Sequence, residues 1–175
     1  MENLKIETER LLLRKTTLED FNKWLPFFED FDSYKYIGFH EFETAEERCK
    51  VWFERILFRY QNNEGGLRAI IKKDDKTLIG FCGIHLQTVD DVIEYEIGYS
   101  LLKEYRGEGF AIEAAKACKE YAIENKLCLS LISIIYIENQ ASINVALKNG
   151  MSLDKQTTFK GFPVFVYRYK IYTQE

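Results

Sequence analysis

The chain has 175 residues, of which 46% are hydrophobic and 15% aromatic, and it carries a formal net charge of -4. Length and composition predict one folded domain over residues 1–175 and exclude a disordered or low-complexity chain. The acidic balance supplies no basic field for a phosphate backbone, so nucleic-acid binding is not expected as the main task. A cationic or amine-bearing partner fits this charge better.

Targeting and metal-binding signals are absent from the sequence. No run of about 18 uncharged apolar residues occurs, and the opening MENLKIETER lacks the apolar block of a signal peptide. We therefore expect a cytoplasmic protein without membrane association. The four cysteines show no CxxC spacing and no paired histidines, so neither a metal site nor a disulfide is expected.

The first half of the chain shows three strand signals and two helix signals. A short apolar run predicts the first strand, and Thr17 with Asp20 three residues later is typical of a helix start. Apolar residues at helical spacing follow Thr44 until Asn and Gly residues end them. The predicted elements are a strand at 10–14, a helix from Thr17 toward Phe27, a helix from Thr44 to Tyr60, and strands at 67–73 and 78–84.

The second half contains the clearest periodicity. Residues 91–101 alternate between apolar and polar side chains, which predicts a strand with one packed and one polar face. Residues 109–125 have the period of a helix that covers a sheet, and residues 131–137 predict a central, parallel strand. A helix capped by Asn139 should follow, and residues 152–175 predict a final hairpin.

A glycine-containing loop joins the alternating strand to the long helix. Gly107 and Gly109 leave no side chain in the way of a ligand, and Arg106 adds a permanent positive charge. Backbone N–H groups at a helix start lack intrahelical partners, and the helix dipole adds positive potential there. The loop therefore predicts an anion site suited to a pyrophosphate, although the same glycine pair also occurs in simple turns.

The motifs around this loop resemble those of one enzyme family. Arg106, Gly109 and Ala111 match R/Q-x-x-G-x-G/A, and residues 96–99 read EIGY. NxxSxxxxxKxG begins at Asn139, and ETERLLLR stands near the start. Together these motifs resemble the GCN5-related N-acetyltransferase (GNAT) family, in particular its RimJ/RimL-like branch.

The resemblance implies a fold and a cosubstrate. The fold would be α/β (α+β): a central, mixed, mostly antiparallel sheet of about seven strands, about four flanking helices and a βαβ unit that binds acetyl-CoA. In such proteins the loop amides bind the CoA pyrophosphate, and the pantetheine arm lies between two separating strands. By resemblance the cofactor-binding residues are Tyr99, Ser100, Leu101, Arg106, Gly107, Glu108, Gly109, Phe110, Ala111, Asn139 and Ser142.

Acetyl transfer to an amine needs a proton acceptor and stabilisation of an oxyanion. Glu94 and Glu96 lie on one strand face about 6 to 7 Å apart. Glu96 is preferred because it is the closer of the two to Gly98, a glycine within a strand that indicates a bulge or a close ligand approach. Ordinary solvation of an exposed sheet face explains both glutamates almost as well. No role is assigned to either histidine.

The general acid is in doubt. Many family members have a tyrosine four residues before the glycine that ends the last motif, but here that position is Ala146. Ser142 is the substitute that we name, with capping or ligand positioning as an equal alternative.

Other readings remain open. The loop partly matches the GxGxxG of nucleotide-binding oxidoreductases, and loss of the tyrosine would also suit a noncatalytic acyl-CoA-binding module. The acceptor amine can be a protein N-terminus, a polyamine, an antibiotic or an amino sugar, since fold does not decide substrate. The aromatic excess permits a homodimer interface without predicting one.

Overall fold

The computed structural model describes residues 5–171, which form a mixed sheet with helices on both faces. In these residues the strands are β1 (Ile6–Glu7), β2 (Leu11–Lys15), β3 (Gly65–Lys72), β4 (Leu78–Val89), β5 (Val92–Leu101), β6 (Ser130–Tyr136), β7 (Ser152–Phe159) and β8 (Phe162–Lys170). Their order in the sheet is β1-β2-β3-β4-β5-β6-β8-β7. Every pairing is antiparallel except that of β5 with β6.

Five α-helices accompany the sheet in the described part of the chain. They are α1 (Phe21–Glu29), α2 (Phe31–Tyr34), α3 (Ala45–Gln61), α4 (Phe110–Glu124) and α5 (Gln140–Lys148). Short 3₁₀ turns precede α1 and α4, at Leu18–Asp20 and Lys103–Tyr105. Between residues 5 and 171, no helix is both long and apolar enough to cross a membrane.

The predicted fold class is confirmed, with two corrections to its element count. The sequence predicted about seven strands and four helices, whereas the described residues form eight strands and five helices. The additional elements are β1, with two residues, and α2, with four. Segments of this length are too short to show a hydrophobic period, so sequence patterning misses them.

The two faces of the sheet carry different cores. Helices α4 and α5 cover one face, where small and aliphatic residues such as Ala114, Ala146 and Ile97 are buried. Helices α1 and α3 cover the other, where aromatic rings dominate. Trp24, for example, stacks on Phe27 at 4.3 Å between ring centroids. Most of the aromatic excess therefore fills a core.

Helix α3 begins where the sequence predicted, because Thr44 and Glu47 cap it reciprocally. The Thr44 hydroxyl accepts the backbone N–H of Glu47 at 3.1 Å, and the Glu47 carboxylate accepts that of Thr44 at 3.0 Å. Two of the helix's unpaired N–H groups are thus satisfied. The same helix lines the candidate active site described below.

A buried ion pair joins β2 to the start of α1. Arg14 donates to both carboxylate oxygens of Asp20, at 2.8 and 2.6 Å, and Asp20 also accepts the N–H of Thr17 at 3.0 Å. Burial raises the pKa of Asp20, but the hydrogen bonds from Arg14 and Thr17 outweigh burial and leave the pKa below its usual value. The pair should therefore stabilise the fold at neutral pH.

We expect Asp20→Asn to lower the free energy of unfolding by about 2 to 4 kcal/mol at pH 7, because it leaves Arg14 without its counter-charge. Since the folded-state pKa of Asp20 is depressed, its contribution exists above the unfolded pKa of about 3.9 and is lost as pH falls further. Urea unfolding at several pH values checks this. Glu19→Gln, at an exposed neighbouring acid, is the control. An equal effect of both variants at pH 7 would contradict the prediction.

Candidate active site

The two parallel strands at the centre of the sheet separate soon after they meet. β5 and β6 share only the pair Glu96 and Ile132. Beyond it, β5 continues along β4 to Leu101, whereas β6 continues along β8. The Ser133 hydroxyl donates to the Ile97 carbonyl at 2.9 Å at the point of separation. The backbone groups of β5 on that side consequently face an opening instead of a neighbouring strand.

The prediction of a bulge at Gly98 is wrong. The pairing of β4 with β5 runs without a register shift from Val92 to Leu101. The Ile97 carbonyl points toward β6, so two residues further on the N–H of Tyr99 points to the same side. Divergence of β6, and not a bulge, leaves this N–H available to a ligand.

A groove of about 520 Å³ runs from this opening to the start of α4. The predicted cofactor-binding residues line it with the exception of Glu108, which is exposed and whose carbonyl accepts a hydrogen bond from Arg10 at 3.1 Å. Gly107 and Gly109 have φ values of 84° and 85°, a left-handed conformation that favours glycine. The loop thus turns sharply and presents the amino end of α4 to the groove.

Arg106 has a structural partner as well as a place in the groove. Its guanidinium donates to the Leu101 carbonyl at 2.9 and 3.1 Å and to the Ser33 hydroxyl at 2.7 Å. Burial lowers the pKa of Arg106, which nearby acids partly offset. Arg106 therefore ties the end of β5 to α2 and adds positive charge at the groove wall.

The amino end of α4 is held against the entry to β2. Glu113, in the first turn, accepts hydrogen bonds from the Thr8 hydroxyl at 2.6 Å and from the Arg10 side chain at 2.7 Å. Arg10 also lies over the Phe110 ring at 4.4 Å. Because Arg10 neutralises Glu113, that carboxylate does not cancel the positive potential of the helix start.

A second cavity, of about 230 Å³, opens on the sheet face that α3 covers. It shares lining residues with the groove, so the two spaces meet where β5 and β6 separate. The shared residues are Tyr36, Ile37, Tyr99, Ser100, Asn139 and Ser142. A ligand in the groove and a ligand in the cavity can therefore contact each other at this junction.

Glu96 projects into this cavity and is paired with a histidine. His85 lies opposite Glu96 on β4, and its Nε2 is 3.1 Å from a carboxylate oxygen. Their side chains are only 10% and 12% exposed. Burial raises the pKa of Glu96. The hydrogen bond and charge of His85 and the N–H of Ile134 lower it by more, so the pKa lies below its usual value. Glu96 is therefore ionised at neutral pH.

His85 was assigned no role from the sequence, and the structure places it in the lining of the cavity. With Nε2 donating to Glu96, Nδ1 is the acceptor nitrogen of the ring, and this buried atom has no hydrogen-bond partner. A β-carbon on Gly98 would lie 3.3 Å from the imidazole Cε1. The glycine in β5 therefore leaves room for the ring.

Glu94 has different surroundings. Its carboxylate forms an ion pair with Arg168 on β8, with one Nη2 to oxygen distance of 3.0 Å, and Arg168 also pairs with Asp154 at 3.0 Å. Glu94 is not among the residues that line the cavity. The two glutamates thus have different surroundings, although they lie on one strand face: Glu94 links β5 to β8, and Glu96, the residue preferred from the sequence, faces the cavity.

The start of α5 supplies the other side of the junction. Asn139 caps the helix, because its side-chain oxygen accepts the N–H of Ser142 at 3.1 Å. The Tyr99 hydroxyl donates to the Ser142 carbonyl at 2.8 Å and so joins β5 to α5. Ala146, at the position where many relatives have tyrosine, is fully buried in the core. Ser142 lies at the junction, where a proton donor would be needed.

Comparison with known proteins identifies the class. Residues 10–152 match the family of the acetyltransferase (GNAT) domain. The uncharacterized N-acetyltransferase YoaA of Bacillus subtilis is 30% identical over 146 residues, which cover 83% of this chain and 81% of YoaA. The chain therefore belongs to the GNAT family and is an acetyl-CoA-dependent acetyltransferase.

Two solved structures share this fold. An acetyltransferase from Agrobacterium tumefaciens C58 superposes with a TM-score of 0.81 at 25% identity, over 97% of this chain and 95% of that one. RimL, an alpha-N-protein acetyltransferase solved with coenzyme A, superposes with a TM-score of 0.77 at 16% identity, over 96% of this chain and 98% of RimL. The RimJ/RimL-like motifs thus occur in a chain that has the fold of RimL itself.

Proposed function

We propose that this protein transfers the acetyl group of acetyl-CoA to a primary amine by direct attack in a ternary complex. The observation that carries this proposal is the junction between groove and cavity. Acetyl-CoA along the groove would present its thioester there, and an amine in the cavity would approach it from the other side. Holding both reactants together replaces a covalent enzyme intermediate.

The groove fits acetyl-CoA by its polar groups. The amides of 106–111 at the start of α4 would bind the pyrophosphate, as anions bind at helix starts. The Tyr99 N–H, which faces the opening between β5 and β6, would donate to the thioester oxygen as negative charge develops on it. Asn139 and Ser142 would contact the pantetheine arm from α5.

The pair of His85 and Glu96 would handle the amine proton. The amine nitrogen attacks the thioester carbon, the carbon–sulfur bond breaks, and CoA leaves as a thiolate. His85 Nδ1 would accept the proton from the amine, while Glu96 stabilises the resulting imidazolium. Ser142 would donate a hydrogen bond to the sulfur, and the thiolate would take its proton from solvent; the parent thiol has an ordinary pKa of about 8.5, so little help is needed.

The test is a turnover assay with acetyl-CoA and a panel of peptide N-terminal amines, polyamines, amino sugars and amino acids. We expect at least one amine to release free CoA and to form acetylated product in equal amount, without acetylated protein in intact-mass spectra. Acetyl-CoA binding without CoA release across the panel would favour a noncatalytic acyl-CoA-binding module. Binding of NAD in preference to acetyl-CoA would favour an oxidoreductase.

A further inference from the structure

The cavity is positively charged, although the chain as a whole is negative. Among its lining residues in the described chain, Arg55 and Arg59 from α3 and Lys160 from the β7–β8 turn are cations, and Glu96 is the single acid. Against a net charge of -4 for the protein, this is a local reversal of sign. Clefts lined by one sign of charge concentrate ligands of the opposite sign.

The cations are close enough to influence one another. Desolvation lowers the pKa of Lys160, and the positive charges of Arg55 and Arg59 lower it further, with Glu96 acting in the opposite direction. Burial likewise lowers the pKa of Arg59. Three mutually repelling cations are an arrangement that costs free energy in the empty cavity and that a bound anion would relieve.

Arg55 and Arg59 each form one long ion pair with a carboxylate, beyond hydrogen-bond distance. Arg55 is 3.9 Å from the Glu41 carboxylate, and Arg59 is 3.8 Å from that of Glu64. Both glutamates lie outside the cavity lining. Arg59 donates through Nη1 to the Leu86 carbonyl, which holds the guanidinium in place beside the cavity. A guanidinium has five N–H donors, so this hydrogen bond uses one of the five.

Aromatic rings line the same cavity. Tyr36 stacks on Tyr136 with 5.2 Å between centroids, and the Phe162 ring is 6.1 Å from that of Tyr136. All three line the cavity. An occupant therefore meets aromatic rings as well as positive charge, and a bare cationic polyamine has the wrong sign for this space.

We propose that the acceptor is an amine that also carries an anionic group, a carboxylate or a phosphate, and that Arg59 binds this group with help from Arg55 and Lys160. This inference rests on the proposed amine acetylation. The same positive charge favours the neutral, reactive form of the amine over its ammonium form. Charge therefore serves both recognition of the anion and preparation of the nucleophile.

Matched acceptor pairs test the proposal by turnover. Each pair shares an amine and differs in the anion: α-amino acids against their amides, and phosphoethanolamine against ethanolamine. We expect kcat/KM to be at least about tenfold higher for the anionic member of the preferred pair, with the advantage shrinking at high salt. The two kinds of pair distinguish carboxylate from phosphate. Equal rates within every pair, or faster reaction of the neutral members, would overturn the proposal.

Arg59→Gln should remove the preference. We expect the anionic and neutral members to react within about twofold of each other in this variant, with unchanged affinity for acetyl-CoA, which also verifies folding. Lys50→Gln removes a positive charge from the same helix at a side chain that is 72% exposed and should keep the preference. Equal loss of rate on both members in Arg59→Gln would show a structural role and contradict the proposal.

A binding measurement separates this inference from the proposed function. The CoA-loaded protein is titrated calorimetrically with N-acetylamino acids, with their amides and with N-acetylphosphoethanolamine, none of which requires turnover. Tighter binding of the anionic compounds in the wild type, lost in Arg59→Gln, supports an anion site even if no amine is acetylated. Acetylation without any preference for anions in either experiment would leave the proposed function standing and remove this inference.

Discussion

Gly109→Glu is expected to weaken acetyl-CoA binding by at least about 100-fold, because backbone strain and a negative charge are both introduced at this position. Gly109 has a φ of 85°, which a residue with a β-carbon adopts only with strain. The new carboxylate would also lie at the amino end of α4, where the pyrophosphate is proposed to bind. The two negative groups would repel each other. Calorimetric titration with acetyl-CoA measures the change.

Two further variants separate strain from charge. Gly150 has a φ of 83° at the end of α5, and a β-carbon there would meet its neighbours at 3.6 Å or more. Gly150→Ala therefore carries the same backbone strain away from the groove and should bind acetyl-CoA within about twofold of wild type. Gly109→Ala should lie between the two. Wild-type affinity in Gly109→Glu would show that the cofactor binds elsewhere.

The conformation of the loop at 106–111 could be predicted because its signals are local. Glycines that need a positive φ, an arginine and the start of an amphipathic helix all lie within residues 106–111, and the capping residue Asn139 is equally local. Local signals of this kind depend on backbone conformation and helix ends, which are determined by neighbours in sequence. The structure accordingly brings all of these residues except Glu108 to one groove.

The pairing of His85 with Glu96 was within reach of the sequence but was missed. Asp90 and Asp91 both have positive φ values, 49° and 62°, and form the two-residue turn of a hairpin. With Val89 opposite Val92, the register places His85 opposite Glu96. The strand predicted at 78–84 ends at Ile84, whereas β4 continues for five more residues to Val89. His85 therefore fell outside the predicted hairpin.

The charges that line the cavity could not have been predicted from sequence. Arg55 and Lys160 are separated by about a hundred residues and belong to a helix and a turn that meet only when α3 lies over the sheet. Composition predicted an amine-bearing or cationic partner from the net charge, whereas the cavity itself is positive. Net charge describes the whole surface, and a binding site is a small part of it.

His85→Gln is expected to lower kcat by about 10²- to 10⁴-fold, the range for loss of a general base. Glutamine cannot take up the amine proton, although it can still donate a hydrogen bond to Glu96 and fill much of the same space. The KM for acetyl-CoA should stay within about twofold, because His85 lines the cavity and not the groove. Steady-state kinetics with the best amine of the acceptor panel measures both parameters.

Glu96→Gln distinguishes a supporting carboxylate from a proton acceptor. The pKa of Glu96 lies below its usual value, so the carboxylate is charged at neutral pH and favours the protonated imidazole. Removing that charge should lower kcat less than His85→Gln does, because the imidazole can still accept the proton. A larger loss in Glu96→Gln than in His85→Gln would make Glu96 the direct proton acceptor.

Glu94→Gln provides the matched comparison on the same strand. Glu94 pairs with Arg168, so its replacement should lower the free energy of unfolding, with kcat close to wild type. Because the two glutamates have the same chemistry and are two residues apart, any difference in kcat arises from their surroundings alone. If Glu94→Gln lowers kcat and Glu96→Gln does not, the proton acceptor must be sought at the link between β5 and β8, and the cavity beside His85 loses its proposed role.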